Sequence, residues 1–219
     1  MLLFGFYHKL NIAQTMDKSN QSTISVYDLN SSNFFDEYES ISFEKVHATW
    51  INEAMLSNGL ALDIGSGSGR DAAYLVQRGY SVFAVEPSDK LRLLAQQKHS
   101  SKNVVWIKSS LPELKSVFKL EISFDLILLS AVWMHIAPVD RQTSLNNVFS
   151  LLNDNGCFVI TLRHGNSPDE RKMFEITSEE VIKGLQKYPV ELIRQTKDID
   201  ALKRRGVWWE TLVFRKSSK

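Results

Sequence analysis

Two hydrophobic periods take turns along this chain. Short apolar runs bounded by turn residues predict buried strands at Leu60–Ile64, Ser81–Val85, Val104–Ile107, Phe124–Leu129 and Cys157–Leu162. Between them the apolar residues recur three and four apart, the period of a helix with one buried face. Such segments are Asp71–Arg78, closed by Gly79; Asp89–Gln97, opened by Ser88 with Leu91, Leu94 and Ala95 inward; and Pro138–Leu152, followed by an Asn155-Gly156 turn. Upstream, Ser42 caps a predicted helix over Phe43–Leu56, with Phe43, Val46, Trp50, Ile51, Ala54 and Met55 on one face. The stretch from Val26 to Tyr38 interleaves Tyr27, Phe34, Phe35 and Tyr38 with acids and amides too irregularly for a helix face. Downstream, Thr177 and Glu180 form a capping box for a helix to about Lys187. Val190–Thr196 and Val207–Phe214 then predict two strands with no helix between them, paired antiparallel at one edge. The order is that of an α/β fold: a doubly wound seven-stranded sheet, mostly parallel, with an antiparallel C-terminal strand pair.

The stretch Leu60 to Asp71 carries the chemistry. After the apolar strand comes Gly65-Ser66-Gly67-Ser68-Gly69, then a helix start at Arg70 and Asp71. Glycines at alternate positions let the backbone bend sharply and leave no side chain between it and a ligand. The helix that follows offers free N–H groups at its positive end. A dinucleotide fingerprint would need glycine where Arg70 stands. Asp63, two residues before the first glycine, suits a ligand with a cationic end and would repel a pyrophosphate. Glu86, with Pro87 after it, ends the second strand, where an acid can accept hydrogen bonds from two ribose hydroxyls. A ribose, a cation and no diphosphate fit S-adenosylmethionine.

On these residues the chain resembles the class I S-adenosylmethionine-dependent methyltransferases from about Leu60 to Arg163, and more weakly to the C-terminus. The resemblance implies S-adenosyl-L-methionine as cofactor and a cofactor-binding set of Asp63, Gly65, Gly67, Gly69, Arg70, Glu86, Pro87, Ser110, Leu111 and Ser130. Ser110 and Leu111 take the adenine position with backbone groups. The loop Leu129–His135 would face the transferred methyl group, with Ser130 on the methionine part and Trp133 and Met134 walling the substrate pocket. His135 is a general-base candidate, or else a histidine that packs this loop. Arg163, after the fifth strand, could hold a substrate carboxylate or phosphate, and His164 is both the second base candidate and a substrate contact. Tyr38 belongs to a lid candidate over Tyr27–Tyr38, or to an aromatic cluster that packs the N-terminal helix. The implied organisation is a flexible arm over 1–25 and one domain over 26–219: lid and helix at 26–57, cofactor-binding core at 58–163, substrate loop and strand pair at 164–219.

The loop after the fourth strand lacks the Asn/Asp-Pro-Pro-Tyr/Phe signature of the family's amino-group methylases of DNA and glutamine. A net charge of +1 over 219 residues gives no broad basic field for nucleic acid or membrane. The reading is therefore transfer of a methyl group to a small-molecule acceptor. A methylase of a protein or RNA site, or a protein that binds S-adenosylmethionine without reacting, are the alternatives. Pocket loops with no gathered carboxylates predict no divalent metal. The single cysteine, Cys157, lies in an apolar run and excludes an internal disulfide, which suits a reducing cytoplasm. The apolar start Met1–Leu10 lacks a basic n-region and a cleavage site, and it is too short to span a bilayer. Met16 opens the polar segment that leads into the domain and is an alternative start.

Overall fold

A computed structural model describes residues 21–54 and 58–218; the expectations for Met1–Leu10 and Met16 lie outside the described residues. One seven-stranded sheet runs in the order β3-β2-β1-β4-β5-β7-β6. Its strands are β1 (Gly59–Ile64), β2 (Tyr80–Val85), β3 (Val104–Ile107), β4 (Phe124–Ser130), β5 (Leu152–His164), β6 (Val190–Ile199) and β7 (Trp208–Lys216). The first five pair in parallel, and β7 is antiparallel to both β5 and β6. The last strand therefore sits inside the sheet and β6 forms the edge. Asn155 and Gly156 fall within β5 as an irregularity, since Phe124 pairs with Leu152 while Leu126 pairs with Cys157.

Strand side chains alternate between faces, and the core divides accordingly. Leu62, Ile64, Ile127, Leu129, Phe158, Ile160 and Leu212 belong to one buried cluster. It includes residues of α8 (Pro138–Ser150) and α9 (Ser178–Leu185). Ala61, Val82, Leu126, Leu128, Val159 and Val213 belong to the other, with α3 (Phe43–His47), α4 (Ile51–Ala54) and α5 (Arg70–Gln77). Helix α6 (Asp89–Lys98) opens as expected, with Ser88 Oγ accepting the Leu91 N–H at 3.1 Å, and the short α7 (Lys115–Phe118) follows β3. Thr177 accepts the Glu180 N–H, but the Glu180 carboxylate turns to the buried Arg141 at 2.6 Å, so only half of the capping box forms.

The N-terminal segment departs most from its sequence pattern. Residues 21–29 are helical (α1, in its described part), and α2 spans Ser31–Glu39. The expected irregular stretch is thus two helices, and 21–25 of the expected arm is helical with Thr23 buried. The aromatic residues that looked irregular on one helix face divide between two helices. The helix predicted over Phe43–Leu56 is interrupted, and His47 in its first part is fully buried. His47 Nδ1 accepts the Trp50 indole N–H at 2.9 Å, which leaves Nε2–H to donate to Asp71 at 2.9 Å.

Candidate active site

A cavity of about 530 Å³ lies beyond the carboxyl ends of the central strands, roofed by α1 and α2. Parallel α/β sheets bind ligands at this end, where neighbouring connections leave to opposite faces. Its floor at one end is the glycine turn. Gly65 and Gly67 have φ of +75° and +55°, which side chains rarely adopt. Both line the cavity, as do Arg70, Glu86, Pro87, Ser110, Leu111 and Ser130. Eight of the ten residues expected to hold the cofactor thus share one wall.

Asp63 and Gly69 do not. Asp63 is only 1% exposed and is absent from the cavity wall, because its place in β1 turns it toward α5. There it accepts the Ala72 N–H, and burial first, then the neighbouring Asp71 carboxylate, raises its pKa well above the usual range. Its expected contact with a ligand's cationic end is therefore corrected to support of the turn and helix from behind. Gly69 turns its α-carbon toward β3 and α6: a Cβ there would lie 2.5 Å from Trp106 and 3.1 Å from His99. Its missing side chain makes room for packing rather than for a ligand.

Glu86, 5% exposed, grips the turn it faces. Oε2 accepts the Gly67 N–H at 2.9 Å and Oε1 accepts the Ser88 N–H at 2.8 Å. Burial pushes its carboxyl up to about 7, against the pull of those two N–H groups. Each oxygen keeps a second lone pair able to accept another hydrogen bond. Arg70 clamps the same end, with Nε on Asp71 at 2.7 Å and Nη1 on the Tyr38 carbonyl at 3.1 Å. Burial works to raise the Asp71 carboxyl, but Arg70 and His47 together hold it below the carboxylate range.

The far end of the cavity is walled by Tyr27, Met134, His135, Arg163 and Arg171. His135 stands in a one-turn 3₁₀ helix, Trp133–His135, after β4. Its Nδ1 lies 2.9 Å from the Lys172 carbonyl, which fixes the proton there and leaves the Nε2 lone pair free to accept. Nε2 meets the Tyr27 hydroxyl at 3.1 Å, and that hydroxyl also accepts from Arg171 at 3.0 Å. Burial pulls the His135 pKa down to about 4, and Arg171 adds to the effect. Tyr38 lies under the roof with its ring against Gly67, its hydroxyl 3.3 Å from Arg171.

Two expected residues belong elsewhere. Trp133 is fully buried in the core and does not line the cavity, whereas Met134 of the same buried cluster does. His164 follows Arg163 on β5, and strand alternation sends the two to opposite faces. Arg163 turns to the cavity. His164 stacks on Trp208 at 3.7 Å and meets Glu210 at 3.0 Å, off the cavity wall. Its roles as base and as substrate contact are withdrawn for that reason. The sequence names Tyr27 only as part of the lid candidate and gives no sign of Arg171 at the cavity. Tyr27 falls in the stretch whose helix went unread, and Arg171 reaches the site only through a turn in a charged loop that carries no local pattern.

Comparison with known proteins now adds to this geometry. A family model described as methyltransferase domain matches residues 62–160. An uncharacterized methyltransferase of Alkaliphilus oremlandii is 32% identical over 103 residues, covering 47% of this chain and 44% of the relative. Another from Staphylococcus carnosus is 25% identical over 126 residues, covering 57% and 56%. The chain thus spans about half the length of the curated relatives it matches. A solved Burkholderia thailandensis 1,6-didemethyltoxoflavin-N1-methyltransferase, with 1,6-didemethyltoxoflavin and S-adenosylhomocysteine bound, superposes with a TM-score of 0.69 at 20% identity, covering 93% of this chain and 91% of that one. The matched segment and the strand order agree: residues 62–160 match a methyltransferase domain, and the sheet has the fold of solved S-adenosylmethionine-dependent methyltransferases.

Proposed function

We propose that this chain is an enzyme that moves the methyl group of S-adenosylmethionine to a small-molecule acceptor. One observation carries the reading: a single cavity joins the glycine turn and Glu86 to a separate end walled by Tyr27, His135 and Arg163. The cofactor end fits the group. Gly65 and Gly67 line the cavity with positive φ, the first packed on Val132 and the second beside the Tyr38 ring, and a buried carboxylate has lone pairs to spare at the second strand's end. The sulfonium supplies an already activated methyl group, so the protein's main tasks are alignment and exclusion of water.

Glu86 holds the ribose, and Ser110 and Leu111 border the adenine. Ser130, 3.2 Å from Thr161, keeps the methionine part in place. Tyr27 and Tyr38 close the roof over the reacting centre, which favours an acceptor small enough to be enclosed over a protein or RNA site. Where the acceptor atom must lose a proton, Tyr27 and His135 form the outlet. The proton passes to the Tyr27 oxygen as the Tyr27 hydroxyl proton passes to His135 Nε2. His135 is neutral at physiological pH and so ready to accept, while its low pKa restricts it to a weakly held proton. Among the described residues no helix is long and apolar enough to cross a membrane. Cytoplasmic work suits the single buried cysteine. The test is incubation with methyl-labelled S-adenosylmethionine and cell extract. Label in the low-mass fraction supports the reading; label only in protein or RNA, or none beyond a heat-killed control, refutes it.

A further inference from the structure

The far end of the cavity contains three guanidinium groups, and two are already matched by acids. Arg171 lies on Asp169, with Nη2 at 2.7 Å, and Arg204 lies on Asp200 at 2.8 Å and on Glu37 at 3.1 Å. Arg163 is 5% exposed and has no carboxylate within ion-pair distance among the described residues. Its bonds go to neutral acceptors: Nη1 to the Gly165 carbonyl at 3.0 Å and to Met173 Sδ at 3.3 Å, Nη2 to the Asn166 carbonyl at 3.1 Å. A guanidinium has five N–H groups. Three are used here, and one on Nε and one on Nη2 have no partner among the described residues. Adjacent nitrogens of this kind hold both oxygens of a carboxylate.

A buried charge without a counter-ion is costly, so its retention at a cavity wall points to a ligand that supplies the missing charge. The neighbouring strand adds a second donor. Thr161 on β5 pairs with Thr211 on β7, and Arg163 pairs with Trp209, so all four share the cavity face. Thr211 is 4% exposed, and its hydroxyl has no partner among the described residues. Met134, Met173, Tyr27 and Trp209 give this end apolar and aromatic walls, and His135, Asp198 and Lys203 line the cavity with them.

We propose that the acceptor is a small monocarboxylate with a flat apolar body, its carboxylate held side-on by Arg163 with the Thr211 hydroxyl beside it. This deepens the methyltransferase reading and rests on it. One unmatched positive charge in the cluster suits one negative charge, which favours a carboxylate over a dianionic phosphate. The apolar body lies between the methionine and aromatic walls, with the accepting atom toward Tyr27 and the cofactor end.

The test uses the whole chain and calorimetry in two stages. S-adenosylhomocysteine is titrated first; failure there sinks the methyltransferase reading, not this one. The protein saturated with S-adenosylhomocysteine is then titrated with benzoate, benzamide and phenyl phosphate as probes. Benzoate is expected to bind at least tenfold more tightly than benzamide, which has its shape without its charge, and more tightly than phenyl phosphate. Arg163→Met is expected to erase the preference for benzoate while leaving S-adenosylhomocysteine affinity within twofold. Arg163→Lys should restore part of it, and Thr211→Val should weaken benzoate severalfold in a protein with an undisturbed circular dichroism spectrum. Equal binding of benzoate and benzamide, stronger binding of phenyl phosphate, no benzoate binding to the saturated protein, or an unchanged preference in Arg163→Met would each overturn the assignment.

Discussion

Replacing Glu86 by glutamine changes one buried group that holds two things at once. The carboxylate accepts the Gly67 and Ser88 N–H groups at 2.9 and 2.8 Å, and its remaining lone pairs are left for the proposed ribose. An amide keeps the shape but has one acceptor oxygen, so one backbone N–H is left facing an NH₂ group. The ribose also loses a charged acceptor. Hydrogen bonds to charged groups contribute about 1.5–3 kcal/mol. At about 1.4 kcal/mol per decade that is a loss of roughly 10–150-fold in S-adenosylhomocysteine affinity. The effect depends on pH in a definite sense. Burial raises the folded carboxyl to about 7 from an ordinary 4.5. Across that window the folded chain keeps a proton that the unfolded chain has released, so this group lowers stability as pH rises. Ribose binding draws on the ionised form, so wild-type affinity should climb from pH 6 to pH 8, whereas the glutamine variant stays flat. Isothermal titration at pH 6, 7 and 8 reads both effects. Affinities within twofold of each other at pH 8, with parallel pH profiles, would refute the placement of the ribose on Glu86.

Gly67→Val should abolish S-adenosylhomocysteine binding in a folded protein, since its φ of +55° strains any side chain and a Cβ would already lie 3.3 Å from the Tyr38 ring; calorimetry with a circular dichroism control decides it. Tyr27→Phe should lower turnover about tenfold or more for an acceptor that must lose a proton, with S-adenosylhomocysteine affinity unchanged, and equal turnover would remove Tyr27 from the proton path. His164→Ala should leave turnover per folded molecule unchanged, because His164 faces Glu210 and Trp208 rather than the cavity. His47→Ala should destabilise by roughly 3 kcal/mol by removing a buried partner of Asp71, or about 6–12 °C in Tm; a shift under 2 °C in a thermal melt would show that Arg70 alone satisfies Asp71.

The sheet was legible because its strands carry strong local signals. Leu60–Ile64 and Phe124–Leu129 are continuous apolar runs, and Ser88 and Thr177 sit at helix starts whose N–H groups they accept. The glycine turn and Glu86 were legible because the demand for bare backbone and for an acid at a strand end is itself local. What failed was non-local. The direction of Asp63 depends on which face of β1 packs on α5, and the sequence shows alternation without saying which face meets the ligand. The same alternation separates Arg163 from His164, a division implicit in the strand pattern but not applied to its last two residues. Trp133 and Met134 share a 3₁₀ turn and one buried cluster, yet only Met134 also reaches the cavity. The helices of the roof fell below notice because their aromatic residues bury against the cavity wall and each other, as in the 4.9 Å contact of Tyr27 with Phe34.

We propose that S-adenosylmethionine occupies the cavity between the glycine turn and the roof, with its methyl group directed at the end lined by Tyr27, His135 and Arg163. A crystal structure with S-adenosylhomocysteine tests it most directly. Ribose hydroxyls are expected within hydrogen-bond distance of Glu86, the adenine beside Ser110 and Leu111, and the sulfur facing Tyr27 with room for one acceptor atom between them. Density for the ligand outside this cavity, or a ribose turned away from Glu86 with the sulfur facing the closed end of the turn, would contradict it.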